Sequence, residues 1–301
     1  MLSESEWMES VKKKIKFMSN QVWNGLNWSD IEIFLNNFKK EDKVVGWVLL
    51  DMLIYYSSEQ EQSLISNLMR LLKRDIWMDT GMAKQNLSSQ SISLELQEIY
   101  KKMCLIPVDD SDPSASAFSL TPQFKKSEDV PKTIKFIDLY DLPLMLVLKY
   151  QYFVFYDDLI GTGHQFSTFW NEKRFGKNHK INIKDLAEKN PNAVFYYLAL
   201  GGCEKGVELL KSEIPNLKLI VSEYFPKCYD VFSDKNEYWE LNPDKKDIVL
   251  AYIRNKEKEL NSRSRFSENL SVLFQHGRAS NTVLSLYWYN KSGDWEKLYK
   301  R

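Results

Sequence analysis

Apolar positions over the first 80 residues recur at helical spacing. Trp7–Trp23 mixes apolar and charged side chains in that rhythm and predicts a helix. Ser29 is a candidate N-cap for a second helix, whose apolar stripe is Ile31, Phe34, Leu35 and Phe38. Val44–Tyr56 is apolar almost throughout and predicts a segment buried on several sides. Leu64, Leu68, Leu71 and Leu72 continue the stripe. Such faces must pack on one another, so a mostly helical N-terminal part is expected, in a bundle or a winged-helix-like arrangement. Polar, serine-rich Lys84–Ser93 reads as a linker into a short helix near Leu94–Met103, and Leu105–Ser119 reads as loop.

The rhythm changes after about residue 131. Ile134–Leu139, Tyr152–Tyr156, Ala193–Leu200, Leu217–Glu223 and Leu270–Phe274 are short apolar runs of strand length. Helical patterns at Glu204–Ser212 and Ile248–Leu260 lie among them. Buried strands spaced by helices predict an α/β fold, a parallel sheet covered on both faces. The expected division is a helical domain over 1–95 and an α/β domain over 96–301.

Composition narrows the function classes. The 301 residues suit about two domains. With 41 basic and 41 acidic side chains the formal net charge is +0, which argues against a general nucleic-acid binder but leaves room for a local patch. Lys12–Lys16 and Lys39–Lys40 are basic, but their neighbours Glu9, Glu41 and Asp42 are acidic. The three cysteines form no CxxC motif, and an odd count argues against a disulfide scaffold; a reducing cytoplasm is the expected compartment. No apolar run reaches the roughly 20 residues of a membrane helix, so no membrane association is expected. The three histidines lack metal-ligand spacing, and no metal-binding residue is assigned.

The chemistry concentrates in Phe153–Gln165, FVFYDDLIGTGHQ. The acids Asp157 and Asp158 end an aromatic, β-branched run that suits a buried strand. Charge is costly in a core, so the acids are expected at the strand's C-terminal end, where ligands of open α/β sheets gather. Strand alternation would send them to opposite sides, unless the backbone has already turned. Carboxylates accept hydrogen bonds from two hydroxyls, which fits a sugar diol. Gly161 and Gly163 permit positive φ and close approach of a ligand, and Thr162 adds a hydroxyl. A helix over about Gln165–Trp170 would follow, and its first-turn amides suit a phosphate.

This segment resembles the phosphoribosyl-pyrophosphate signature of the type I phosphoribosyltransferases. The resemblance implies that Asp157 and Asp158, the candidate catalytic residues, hold the ribose hydroxyls. It also implies that Leu159, Ile160, Gly161, Thr162, Gly163, His164 and Gln165 form the ligand turn around the 5′-phosphate. A narrower resemblance, to phosphoribosyltransferase-like proteins of bacterial conflict systems, rests on the form FxDDxIGTGxQ and on Asn281, Thr282 and Leu286 in the tail. It covers about residues 100–301. It implies an antiphage setting, with a reverse transcriptase and its msDNA or another defence protein as candidate partners, and Mg²⁺ accompanying a phosphoribosyl pyrophosphate or nucleotide substrate. Pro107–Ser116 and Asp138–Leu139–Tyr140 are alternative candidates for the pyrophosphate loop. After the run Leu270–Phe274, Arg278 is a candidate phosphate partner, Asn281 a candidate for hydrogen-bonding a base or a backbone turn, and His276 reads as structural. Three readings stay open: an enzyme that transfers or removes a ribosyl group, a catalytically inactive nucleotide sensor or scaffold, and an adaptor touching nucleic acid through its N-terminal helices.

Overall fold

The computed structural model describes residues 3–82, 85, 87–108, 116–139, 149–174, 182–260, 269–277, 283–288 and 295–298. In chain order the helices are α1 (Glu4–Gln21), α2 (Trp28–Leu35), α3 (Lys43–Met52), α4 (Ser58–Asp79), α5 (Ser89–Lys101), α6 (Ser116–Lys126), α7 (His164–Glu172), α8 (Ile183–Lys189), α9 (Glu204–Glu213), α10 (Glu237–Leu241) and α11 (Pro243–Glu259). The strands are β1 (Ile54–Tyr56), β2 (Met103–Pro107), β3 (Lys135–Phe136), β4 (Tyr152–Ile160), β5 (Val194–Cys203), β6 (Leu217–Phe225) and β7 (Val272–Phe274). They group into two compact units, residues 1–61 with 225–301 and residues 62–224. The units do not divide at the expected 95/96 break. Among the described residues no helix is long and apolar enough to cross a membrane.

The first unit is the helical one. Local chemistry starts its helices: Ser3 and Glu6 close a capping box on α1, and Asn27 with Asp30 does the same on α2. Ser29 is therefore already inside α2. Asn27 Oδ1 accepts the Asp30 amide at 3.1 Å and takes the capping role expected of Ser29. The apolar run after Lys43 splits into α3 and β1, and Val45, Val48, Leu49 and Leu50 are fully buried. The run Leu270–Phe274 does form a strand, but in a second sheet: β7 pairs in parallel with β1, with Tyr55 opposite Leu273. The expectation that it extends the main sheet is corrected by that pairing.

The second unit carries a five-stranded parallel sheet in the order β3-β2-β4-β5-β6, flanked by helices. Its central strand, β4, is buried at every position. On one face Phe153 and Phe155 share a core with Phe166, Phe169 and Trp170 of α7, Ile183 and Leu186 of α8, and Val207 and Leu210 of α9. On the other face Tyr156 packs on Phe124 of α6 at 4.6 Å between ring centres, and its hydroxyl hydrogen-bonds Thr121 Oγ1 at 2.6 Å. Parallel pairing puts the C-terminal ends of all five strands at one edge, where α/β sheets bind ligands.

Candidate functional site

β4 runs four residues beyond the expected Tyr156, to Ile160. Its ladder with β5 sets Asp157 opposite Ala199, Leu159 opposite Gly201 and Ile160 opposite Gly202. Both acids thus lie within the strand, and both are buried, Asp157 at 2% exposure and Asp158 at 1%. They stand near the strand's C-terminal end, as expected, but inside the core, which corrects the expectation that a buried position would be avoided. Burial is tolerated because polar groups come to the carboxylates. The Asp158 amide donates to Asp157 Oδ1 at 2.9 Å, and the Leu159 amide donates to Asp158 Oδ1 at 2.8 Å. The Tyr197 hydroxyl, from β5, donates to Asp157 Oδ2 at 3.3 Å.

The two carboxyl groups also interact with each other and do not diverge as simple alternation predicts. Burial pushes the Asp157 carboxyl well above the usual carboxylate range, and the Asp158 charge and a side-chain hydrogen bond to Asp158 push the same way. Burial, followed by the charges of Asp157 and Asp158, raises the Tyr197 phenol well above its ordinary value. The Asp157 carboxyl is therefore disposed to retain a proton, and the two adjoining carboxyl groups form one acid unit. The ring of Tyr197 is fixed by near-parallel stacking on Phe166, 4.0 Å between centres, so its hydroxyl is aimed from a rigid base.

The turn after the acids is built on close backbone approach. Gly163 has φ 81° and serves as the N-cap of α7 without any side-chain capping bond. Its own carbonyl accepts from Ser167 N at 3.0 Å, which starts the helix. Gly161, in contrast, is not among the described glycines of positive φ, so only Gly163 uses the left-handed region predicted for both. Helix α9 closes on this turn. A Cβ on Gly163 would come 2.8 Å from the Gly206 carbonyl oxygen, and a Cβ on Gly206 would collide with the Gly161 carbonyl. Gly161 and Gly163 are buried, Thr162 is half-buried, and His164 and Gln165 are exposed on the first turn of α7. Leu159 and Ile160 are buried, so only their backbone is suited to a ligand.

The junction thus combines an acid unit with a glycine turn whose following helix start carries no side-chain cap. Carboxyl oxygens accept from hydroxyls, and first-turn amides donate to an anion. Sequence reasoning missed Tyr197 and Gly206. A glycine early in the apolar-periodic GVELL helix was the available signal for Gly206, since glycine inside a helix costs about 1 kcal/mol against alanine and marks a close approach. Tyr197 carried no signal that separates it from its neighbours in AVFYYLAL.

Other candidates fall elsewhere. Asp138 is half-buried just after β3. Leu105 pairs with both Phe136 and Val154, so Asp138 reaches about the level of Tyr156 on the same edge as the acids. Of Pro107–Ser116, residues 109–115 lie outside the described residues, as do Tyr140, Arg278, Asn281 and Thr282. His276 belongs to the first unit, where its side-chain Nδ1 is 2.9 Å from Glu61 Oε1 and its backbone amide donates to the same oxygen at 3.0 Å. Both side chains are buried, an arrangement of a structural pair. Cys203 is buried as the N-cap residue of α9, and Cys104 is buried with its thiol pushed up by burial. Among the described residues no group of three or more His, Cys, Asp or Glu is placed to hold a metal ion.

No curated protein matches the chain. The family model of the PRTase-CE domain, a phosphoribosyltransferase-like domain, matches residues 31–301, which include both compact units apart from the first 30 residues. The match spans the acid pair, the glycine turn and the sheet that carries them, and the chain belongs to the PRTase-CE family.

Proposed function

We propose that this chain holds a 5-phosphoribosyl group at the β4–α7 junction and transfers or removes it. The observation that supports this is the buried acid unit directly followed by a left-handed glycine and a helix start without a side-chain cap. Ribose hydroxyls donate to Asp157 and Asp158. The 5′-phosphate accepts from amides between Ile160 and Gln165, with the Thr162 hydroxyl beside them. Electrostatics order the ligand this way round, since a phosphate is repelled by the carboxylates and drawn to the amides. Departure of a leaving group from C1 leaves positive charge on the sugar, and negative charge on the acid unit is best placed to stabilise it. Mg²⁺ neutralises the pyrophosphate of such a substrate, with oxygen ligands from the phosphates and water.

One observation favours a second reading, binding without turnover: both carboxyl groups are buried and already accept backbone amides. In that reading the chain is a nucleotide-sensing or scaffold subunit. The resemblance to conflict-system proteins supports a cytoplasmic antiphage complex as the setting of either reading, for example a retron, with its reverse transcriptase and msDNA as partners.

Turnover separates the two. Incubation with phosphoribosyl pyrophosphate and Mg²⁺ plus free bases, and in parallel with nucleotides, is expected to release pyrophosphate or free base. The Asp157→Asn/Asp158→Asn protein should release neither. Binding without product across all these substrates would replace the first reading by the second.

A further inference from the structure

A second concavity in the unit of residues 62–224 lies away from the acid unit. It has a volume of about 680 Å³, and its walls come from α4, α5 and the segment 131–133. That volume is in the range of small-molecule sites, roughly 300–1,000 Å³. Its position follows from the topology. Gln97 and Tyr100 lie in the last turns of α5, just before β2 begins at Met103, and Thr133 lies just before β3 begins at Lys135. These residues sit at the N-terminal edge of the sheet. Asp157 and Asp158 lie near the C-terminal end of β4, which runs parallel to β2. The length of the five-residue strand β2, about 16 Å at 3.3 Å per residue, separates the two edges.

The lining is chemically one-sided. Lys73 and Lys132 face the concavity from different elements, and no Asp or Glu lines it, in a chain whose charges balance overall. Neither lysine pairs with a carboxylate among the described residues. The hydroxyls of Ser89, Ser93 and Thr133 add donors. Trp77 is 38% exposed, a large indole left partly open to solvent at the wall, with Leu96 buried beneath. Unpaired ammonium groups and hydroxyls call for an anion such as a phosphate, and an open indole calls for a flat ring.

We propose that this concavity is a second ligand site, specific for an aromatic base carrying a phosphate, the base against Trp77 and the phosphate between Lys73 and Lys132. Two sources share that chemistry, a free nucleotide and the bases of a single strand. The site is independent of the reading of the β4–α7 junction.

Photolabelling with 8-azido-AMP, followed by peptide mapping, tests it. Adducts are expected in the peptides of Trp77 and Tyr100. AMP should compete and ribose 5-phosphate, which lacks the aromatic base, should not. Both lysines are exposed, so Lys73→Glu/Lys132→Glu should fold normally, which its circular dichroism would verify. That variant should lose labelling at these peptides by about tenfold or more, the loss of at least one charge-assisted contact. Labelling in the Asp157→Asn/Asp158→Asn protein should persist there, which separates this site from the junction. Competition by a (dT)6 oligomer at lower concentration than AMP would identify a single strand as the source, and the reverse order a free nucleotide. Absence of adducts at Trp77 and Tyr100, or labelling unchanged by the lysine reversals, would overturn the proposal.

Discussion

Two strand-to-helix junctions stand side by side at the C-terminal edge of the sheet, and both are glycine-bearing. β4 passes through Gly161 and Gly163 into α7, and β5 passes through Gly201 and Gly202 into α9. At the second, the atoms nearest to a Cβ on Gly202 are side-chain atoms of Val207 and Val221 at 3.0–3.1 Å. At the first, the obstacles include backbone: the Gly206 carbonyl against Gly163, and the Gly161 carbonyl against Gly206. Only the first is preceded by an acid pair. One junction is a packing joint, and the other is a turn held by close approach of backbone to backbone, with the start of α9 as its wall. Glycines of equal appearance in sequence therefore have different costs of replacement.

The largest effect should come from Gly206→Ala. Its methyl collides with backbone that cannot rotate away, so the turn must shift. Overpacking of this kind costs about 1–3 kcal/mol, readable in urea denaturation, and ribose 5-phosphate binding should be lost beyond detection by calorimetry. Gly163→Ala comes next. An alanine at φ 81° adds left-handed strain of about 1–2 kcal/mol, and the same two measurements should show a smaller loss of each. Gly202→Ala is the control, because valine side chains can yield by a few tenths of an ångström. It should leave binding intact and cost less than either. If Gly202→Ala damaged binding as much as Gly206→Ala, the contrast between the junctions would fail.

A smaller and more specific effect concerns the acid unit. Tyr197→Phe removes one donor to Asp157 and retains the stack on Phe166. It should cost about 1 kcal/mol. Asp157→Asn should do the opposite to stability at neutral pH. The folded pKa of Asp157 is raised, so the native state binds more protons than the unfolded chain between the two pKa values. Stability contributed by this group is full below the unfolded value, about 3.9, and declines as pH rises through the folded value. Asparagine carries no such penalty. The variant should be more heat-stable than wild type at pH 7–8, with the Tm difference shrinking towards pH 4. A difference that grew on acidification would have the wrong sign.

Four of the five strands of the sheet were legible as short apolar runs with helices between them, and the helix start after the glycine turn was misplaced by one residue only. The family signature drew attention to the acids and the turn. Four things were not legible. β2 lies over Met103–Pro107, where a helix end and a loop were expected, because a five-residue run ending in proline carries too little pattern to separate a buried strand from loop. Strand length at β4 depended on compensation of two buried acids by the next amides and by Tyr197, a tertiary partner. The assignment of Leu270–Phe274 to the main sheet failed because an apolar run specifies a strand but not its neighbour; β1, far away in sequence, took that place. Gly206 matters through a contact across two junctions, and a single sequence carries only the hint of a glycine inside a helix.

The central claim is that the acid unit and the glycine turn together bind a phosphoribosyl group. Titration calorimetry with phosphoribosyl pyrophosphate and Mg²⁺, on wild type and on Asp157→Asn/Asp158→Asn, tests it most directly. The account predicts saturable binding to wild type and a loss of about a hundredfold or more in the variant, two charge-assisted contacts at about 1.5 kcal/mol each, with the fold retained. Equal affinity in the two proteins would contradict it.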